Sequence, residues 1–88
     1  QGKLDEAEQD LLIARERDPK QSLVSYNLAV LRLKQGRKDD AFKEFEASFM
    51  AGFNYFDKMD QDPDLLSLRK DENFNALIAQ YRKKSATQ

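Results

Sequence analysis

A heptapeptide at the start of the chain recurs 34 residues further on. QGKLDEA at residues 1–7 corresponds to QGRKDDA at residues 35–41, and only the pair Leu4 and Lys38 is chemically unlike. A period of this length, occupied by helix-forming residues, is typical of repeats that consist of two antiparallel helices. The sequence therefore predicts an all-α fold made of helix-turn-helix repeats.

Glycine and proline mark the ends of the helices in each copy. Gly2 and Gly36 tolerate positive φ between two helices, and the acidic residues that follow each glycine favour a helix start. Pro19 disfavours a helical residue before it and is expected to stop the first helix. We predict helices over residues 3–17 and 38–51.

A third helix is predicted between these two. The segment LVSYNLAVLRL, from Leu23 to Leu33, is apolar nearly all round, which is the pattern of a helix covered on several sides. Short turns join it to both neighbours, so we expect antiparallel packing with all three helices in contact. Glu44 and Glu46 are expected on the outer side of the helix that follows.

The stretch from Ser25 to Ser48, SYNLAVLRLKQGRKDDAFKEFEAS, resembles one nearly complete tetratricopeptide repeat (TPR). Residues 1–19 resemble the second half of a preceding repeat, and residues 22–52 form the near-complete one. The resemblance implies a fragment of a TPR-like α-solenoid. Arg32 departs from the family, because an aromatic residue usually stands there, and Phe53 takes the place of the closing proline. The signature positions with a structural role are Gly2, Ala7, Leu28, Ala29, Gly36, Ala41 and Phe45.

Short helices are predicted after this repeat. Gly52 is the expected C-cap of the preceding helix. Asp62 and Pro63 match an N-cap followed by the first helical residue, which is a favoured helix start. Asp71 is predicted to cap the last helix, and residues 84–88 are predicted to form a frayed tail.

The segment DPDLLSLRKDENF also resembles the tail that often closes TPR arrays in bacterial proteins. This resemblance implies that residues 53–83 cap the exposed face of the last repeat, and that residues 1–83 form a single domain. It also implies that the first helix of the first repeat lies before residue 1. We therefore expect Leu4 and Leu11 to be exposed and to favour self-association.

Alternating aspartates raise the possibility of a cation site. Asp60, Asp62 and Asp64 alternate, and Asp71 is the twelfth residue counted from Asp60, which is the ligand spacing of an EF-hand calcium loop. Leu65 occupies the position where that loop needs glycine. Helix caps explain the same aspartates, so we predict no metal site, with a cation-binding loop at 60–71 as the minor alternative.

The composition argues against several classes of function. The chain has no cysteine and no histidine, so the commonest acid–base catalyst and thiolate chemistry are missing from it. The formal net charge of −1 argues against binding to a nucleic acid. The apolar runs are too short for a membrane helix. We predict no enzyme, no catalytic residue and no cofactor; the sequence does not indicate a localisation.

The TPR resemblance implies that the partner is a protein or a peptide. In this family the inner face of each first helix holds peptides, often through an asparagine that bonds to the ligand backbone, and Asn27 stands at that position. The predicted groove residues are Leu23, Tyr26, Asn27, Val30, Leu33 and Lys34. Leu23, Val30 and Leu33 fit an ordinary core equally well. A structural end-cap of a longer array, with no ligand of its own, is therefore the alternative function.

Overall fold

The computed structural model describes residues 2–18 and 20–86, and over these ranges it contains helices and turns but no strand. The chain divides into two compact units, the first ending at Phe53 and the second beginning at Asn54. The helices of the first unit are α1 (Gly2–Arg17), α2 (Ser22–Lys34) and α3 (Lys38–Met50). The second unit contains α4 (Phe56–Gln61), a 3₁₀ helix (Pro63–Leu68) and α5 (Glu72–Ala86). The predicted all-α class is confirmed.

Helix α1 packs against α2 through small and branched side chains. The buried residues of α2 at this contact are Val24, Leu28 and Leu31, and they meet Ala7, Leu11 and Ala14 of α1. The expectation that Leu11 is exposed was therefore wrong, because its side chain is half-buried against α2. The side chain of Leu4 and the predicted helix stop at Pro19 lie outside the described residues.

Helix α3 covers a second side of α2 with a denser core. Ala29 of α2 and Ala41 and Phe45 of α3 are fully buried. Ser48 is also fully buried, and its hydroxyl donates to the carbonyl oxygen of Phe45 at 2.6 Å, so no polar atom is left unsatisfied there. Truncation of a buried phenylalanine to alanine lowers the free energy of unfolding by about 3–5 kcal/mol. Phe45 is therefore a principal source of stability in this unit.

An aromatic cluster closes the end of the α2–α3 pair. The ring of Tyr26 stacks on that of Phe53, with centroids 4.7 Å apart and planes at 7°. The same tyrosine meets Phe45 edge-on at 5.6 Å, and Phe49 lies 6.1 Å from Phe53. These are favourable geometries for aromatic pairs. Phe53 is itself buried and therefore contributes to the core.

Helices α2 and α3 end with the same backbone motif. Gly36 has φ +76° and Gly52 has φ +108°, so each adopts a conformation that glycine accepts without strain. The amide of Gly52 donates to Phe49, and that of Phe53 donates to Ser48, which is the pair of hydrogen bonds that defines a Schellman motif. Gly36 closes α2 in the same way. The predicted cap at Gly52 is confirmed as the residue immediately after the C-cap.

Two ion pairs join α1 to the other helices of the first unit. Arg32 of α2 pairs with Glu8 of α1, which places the end of α2 beside the first half of α1 and shows that the two helices run antiparallel. Arg15 of α1 pairs with Glu44 of α3. The prediction that Glu44 lies on the outer side of its helix was wrong, because the side chain is only 15 % exposed. Its neighbour Glu46 is exposed, as expected.

Aspartate caps organise the second unit. The Asp62 carboxylate accepts a hydrogen bond from the Asp64 amide at 2.9 Å and thereby caps the 3₁₀ helix. Asp71 accepts from the Phe74 amide at 3.0 Å, so the predicted cap of α5 is confirmed. The predicted tail over 84–88 begins too early, because α5 continues to Ala86; its last basic turn favours helix at this end.

Candidate functional site

Four of the predicted groove residues share one side of α2. Leu23, Asn27, Val30 and Lys34 are spaced by four, three and four residues, which places them along a single stripe of a helix. Leu23 is 50 % exposed, Asn27 and Lys34 are exposed, and Val30 is half-buried. We call these four residues the α2 face.

The other two predicted groove residues lie beside this stripe. Tyr26 is half-buried, and its ring is held between Phe45 and Phe53. Leu33 is half-buried as well. The structure thus brings four of the six predicted residues into one stripe, in which Leu23, Asn27 and Lys34 are exposed, and gives Tyr26 contacts within the aromatic cluster.

The opposite side of α2 fixes the orientation of the α2 face. Leu28 and Ala29 are fully buried. Leu28 packs in the cluster with α1, and on another side of α2 the ring of Tyr26 meets Phe45 of α3. A helix held on two sides cannot rotate about its axis without breaking both contacts. The side chains of the α2 face are therefore presented on a rigid element, which is the arrangement that specific binding requires.

The charge of the α2 face is simple. Helix α2 contains no acidic residue, and its two basic residues are Arg32 and Lys34. Arg32 pairs with Glu8 and also donates to the side-chain oxygen of Gln35 at 3.0 Å. Lys34 is exposed and supplies the positive charge of the α2 face. One cation, one amide and two apolar side chains define its chemistry.

Glu8, the ion-pair partner of Arg32, has a shifted pKa. Gln35 donates to the Glu8 carboxylate at 3.2 Å, and Arg32 donates to the same oxygen. These hydrogen bonds, from Gln35 first and Arg32 second, lower the pKa of Glu8 below its ordinary value. Arg32, Gln35 and Glu8 thus form a polar cluster, and the lowered pKa keeps the Glu8 carboxylate ionised at neutral pH.

A shallow concave surface lies along α1 and was not predicted from the sequence. Its volume is about 370 Å³, and we call it the α1 groove. Its lining residues are Asp10, Ile13, Ala14, Arg17, Asp18 and Gln21. Asp10, Ile13, Ala14 and Arg17 follow the spacing of one helix face, so the sequence contained a signal for this surface. The signal is weak, because charged residues lie on both sides of Ile13 and the same spacing is typical of a solvent-exposed face.

The alternating aspartates have partners of their own in the second unit. Asp60 accepts from Arg82 at 3.1 Å, and Asp62 and Asp71 serve as helix caps. Within residues 2–18 and 20–86, no group of three acidic side chains is placed to hold a metal ion. Leu65, which replaces the glycine of a calcium loop, is buried.

Comparison with known proteins gives no assignment. No protein-family model, curated protein or solved structure matches the chain. Across the described part of the chain, no helix is both long enough and apolar enough to span a membrane.

Proposed function

We propose that this chain is a protein-interaction module of the TPR type, in which the α2 face binds a peptide segment of a partner protein. The observation that carries the proposal is the exposure of Leu23 and Asn27 on a helix whose other sides are buried. An exposed leucine beside an exposed amide on a rigid helix offers both apolar contact and directional hydrogen bonding.

The internal repeat supports the TPR assignment. Residues of α1 and α3 that correspond at the 34-residue offset all lie on the packed side of their helix: Ala7, Leu11 and Ala14 are half-buried against α2, and their counterparts Ala41, Phe45 and Ser48 are fully buried. Two successive helices that use equivalent positions to flank one central helix are the arrangement expected of stacked repeats. In such an array, α2 is the first helix of its repeat and its free side lines the binding groove.

Each residue of the α2 face has a distinct part in the proposed mechanism. The amide of Asn27 can donate to a carbonyl and accept from an N–H, so it fixes the direction of an extended peptide backbone. Leu23 and Val30 bury an apolar side chain of the ligand, and Lys34 pairs with an acidic one. Eleven residues of helix separate Leu23 from Lys34, a rise of about 16 Å. An extended peptide of about five residues spans that distance.

A peptide selection tests the proposal. A random-peptide library is selected on the wild-type chain, and the affinity of the selected peptides is then measured by fluorescence anisotropy. Asn27→Ala removes the proposed hydrogen bond from the Asn27 side chain to the backbone of the peptide. It should weaken binding about five- to tenfold, which corresponds to about 1–1.4 kcal/mol. Leu23→Ala should weaken it by a similar factor.

The matched control is Met50→Ala, because Met50 is an exposed apolar residue on α3 and lies outside the α2 face. This variant should bind the selected peptides like the wild type, and all three variants should keep their helicity by circular dichroism. If no peptide is enriched, or if the α2-face variants bind as tightly as Met50→Ala, the proposal is wrong.

A further inference from the structure

Helix α1 packs on α2 through a small apolar contact. The side chains that it contributes are Ala7, Leu11 and Ala14, and all three are only half-buried. Two of them are alanines, and the stabilisation that burial provides scales with the apolar area removed from water. The apolar contact of α1 is therefore weaker than that of α3, which places the fully buried ring of Phe45 in the core.

Two ion pairs add to this contact and lie two turns apart on α1. Glu8 pairs with Arg32 of α2, and Arg15 pairs with Glu44 of α3. The partners on the other two helices are well shielded, since Arg32 is 11 % and Glu44 is 15 % exposed. Arg15 is the seventh residue after Glu8, so the two charged residues lie about 10 Å apart along one side of α1.

The two ion pairs have opposite polarity. In the first pair α1 supplies the carboxylate, and in the second it supplies the guanidinium. If α1 packed in the reverse direction, Glu8 would lie near Glu44 and Arg15 would lie near Arg32, and both contacts would be repulsive. The ion pairs therefore select the direction in which α1 packs on the other two helices.

We propose that α1 is a detachable cover of the α2–α3 pair, held in place by its two ion pairs and released by salt while α2 and α3 stay folded. Release breaks both ion pairs and exposes the apolar side of α2 formed by Val24, Leu28 and Leu31. Salt favours the released state because it screens the attraction between the paired charges and stabilises the separated ones. The proposal does not depend on peptide binding to the α2 face.

The α2–α3 pair has contacts of its own that do not involve α1. The ring of Tyr26 meets Phe45 edge-on and stacks on Phe53, and these contacts join α2 to α3 and to the residue that ends the first unit. The tight turn at Gly36 connects the two helices directly. Release of α1 is therefore a local opening with a smaller free-energy cost than unfolding of the whole unit.

A single thiol reports the release of α1. The chain has no cysteine, so Val24→Cys introduces a unique thiol on the side of α2 that α1 covers. Its alkylation by iodoacetamide, an uncharged reagent, is followed by mass spectrometry and divided by the rate in the urea-unfolded chain at the same salt concentration. This ratio should rise about three- to fivefold between about 0.1 M and about 1 M NaCl, because the Debye length shortens from about 10 Å to about 3 Å.

Substitutions that remove charge test the ion pairs directly. In the Val24→Cys chain, Glu8→Gln and Glu44→Gln should each speed alkylation about two- to fivefold at low salt, the range for a partly exposed ion pair. The two substitutions together should abolish the dependence on salt. Asp60→Asn removes an exposed acid that pairs with Arg82 in the second unit, and it should leave the rate unchanged.

Ser48→Cys is the matched control for unfolding of the α2–α3 pair, because Ser48 is fully buried on α3 and cysteine is close to it in size. Its alkylation should stay slow at every salt concentration. The proposal is overturned if alkylation of Val24→Cys does not respond to salt, or if Ser48→Cys reacts equally fast, since the unit then opens as a whole. It is also overturned if Glu8→Gln and Glu44→Gln have no effect, or if the dependence on salt survives when both are present.

Discussion

Replacement of Tyr26 by alanine should destabilise the first unit strongly, even though the residue is only half-buried. Its ring stacks on Phe53 and meets Phe45 edge-on. An aromatic side chain buries about 150–250 Å² when fully covered, so Tyr26 removes about 100 Å² from water. At about 25 cal/mol per Å², this burial is worth about 2.5 kcal/mol. The two ring contacts add about 0.5–1.5 kcal/mol each.

The expected loss for Tyr26→Ala is therefore about 4 kcal/mol, close to half of the roughly 9 kcal/mol typical of a chain of this length. The midpoint of thermal unfolding should fall by about 15 °C or more. Urea unfolding followed by circular dichroism measures the change in free energy. Tyr55→Ala is the matched control, since Tyr55 is 52 % exposed, and it should cost less than about 1 kcal/mol.

A Tyr26→Ala variant within about 1 kcal/mol of the wild type would refute the reasoning, because an aromatic cluster that closes the α2–α3 pair cannot be lost at so small a cost. The result also bears on binding experiments. If Tyr26→Ala unfolds the unit, any loss of peptide affinity in that variant reports on folding, and only substitutions such as Leu23→Ala and Asn27→Ala test the α2 face.

Three further predictions concern stability. Gly36→Ala should lower the free energy of unfolding in urea by about 1 kcal/mol, because alanine is strained at a φ of +76°. An added Cβ meets no atom within 4 Å, so the loss comes from the backbone conformation and not from a clash. An unchanged midpoint of urea unfolding would contradict this prediction. Asp71→Ala should cost about 1 kcal/mol, since it removes the cap of α5; Asp64→Ala, which removes an acid that caps no amide of α5, should cost less. Glu8→Gln tests the dependence of stability on pH. The folded-state pKa of Glu8 is lowered from 4.5. The Glu8 carboxylate therefore contributes to the free energy of unfolding above its unfolded-state pKa, and this contribution is lost as the pH falls through the folded-state pKa. Unfolding free energy measured against pH should therefore fall less steeply below pH 4.5 in Glu8→Gln than in the wild type, and identical slopes would count against the polar cluster.

The helices were predictable because their ends are encoded locally. Gly36, Gly52, Asp62 and Asp71 each act through the backbone of their own turn, and such signals depend little on tertiary structure. The stripe of the α2 face was predictable for a similar reason, since helical periodicity alone places its members on one side.

The environment of single side chains was less predictable. Leu11 was expected to be exposed, yet it packs on α2; the period assigned it to the correct stripe of α1 but did not show which helix covers that stripe. Glu44 was expected on the outside, and its contact with Arg15 joins residues 29 positions apart. Tyr26 fits a groove by spacing, whereas its contact with Phe53 depends on the path of the chain after Gly52. Such long-range pairs follow from packing, which no local pattern encodes.

The way Phe53 meets Tyr26 also has a consequence for the order of folding. The two rings close a hairpin that contains most of α2, one tight turn and α3. The connections from α1 to α2 and from α2 to α3 are both short, so their closure entropies are similar, and the difference lies in packing. Ala41, Phe45 and Ser48 of α3 are fully buried, whereas Ala7, Leu11 and Ala14 of α1 are half-buried. We expect α2 and α3 to assemble first and to act as a template on which α1 then docks. Amide hydrogens of α1 should accordingly exchange with solvent before those of α2 and α3.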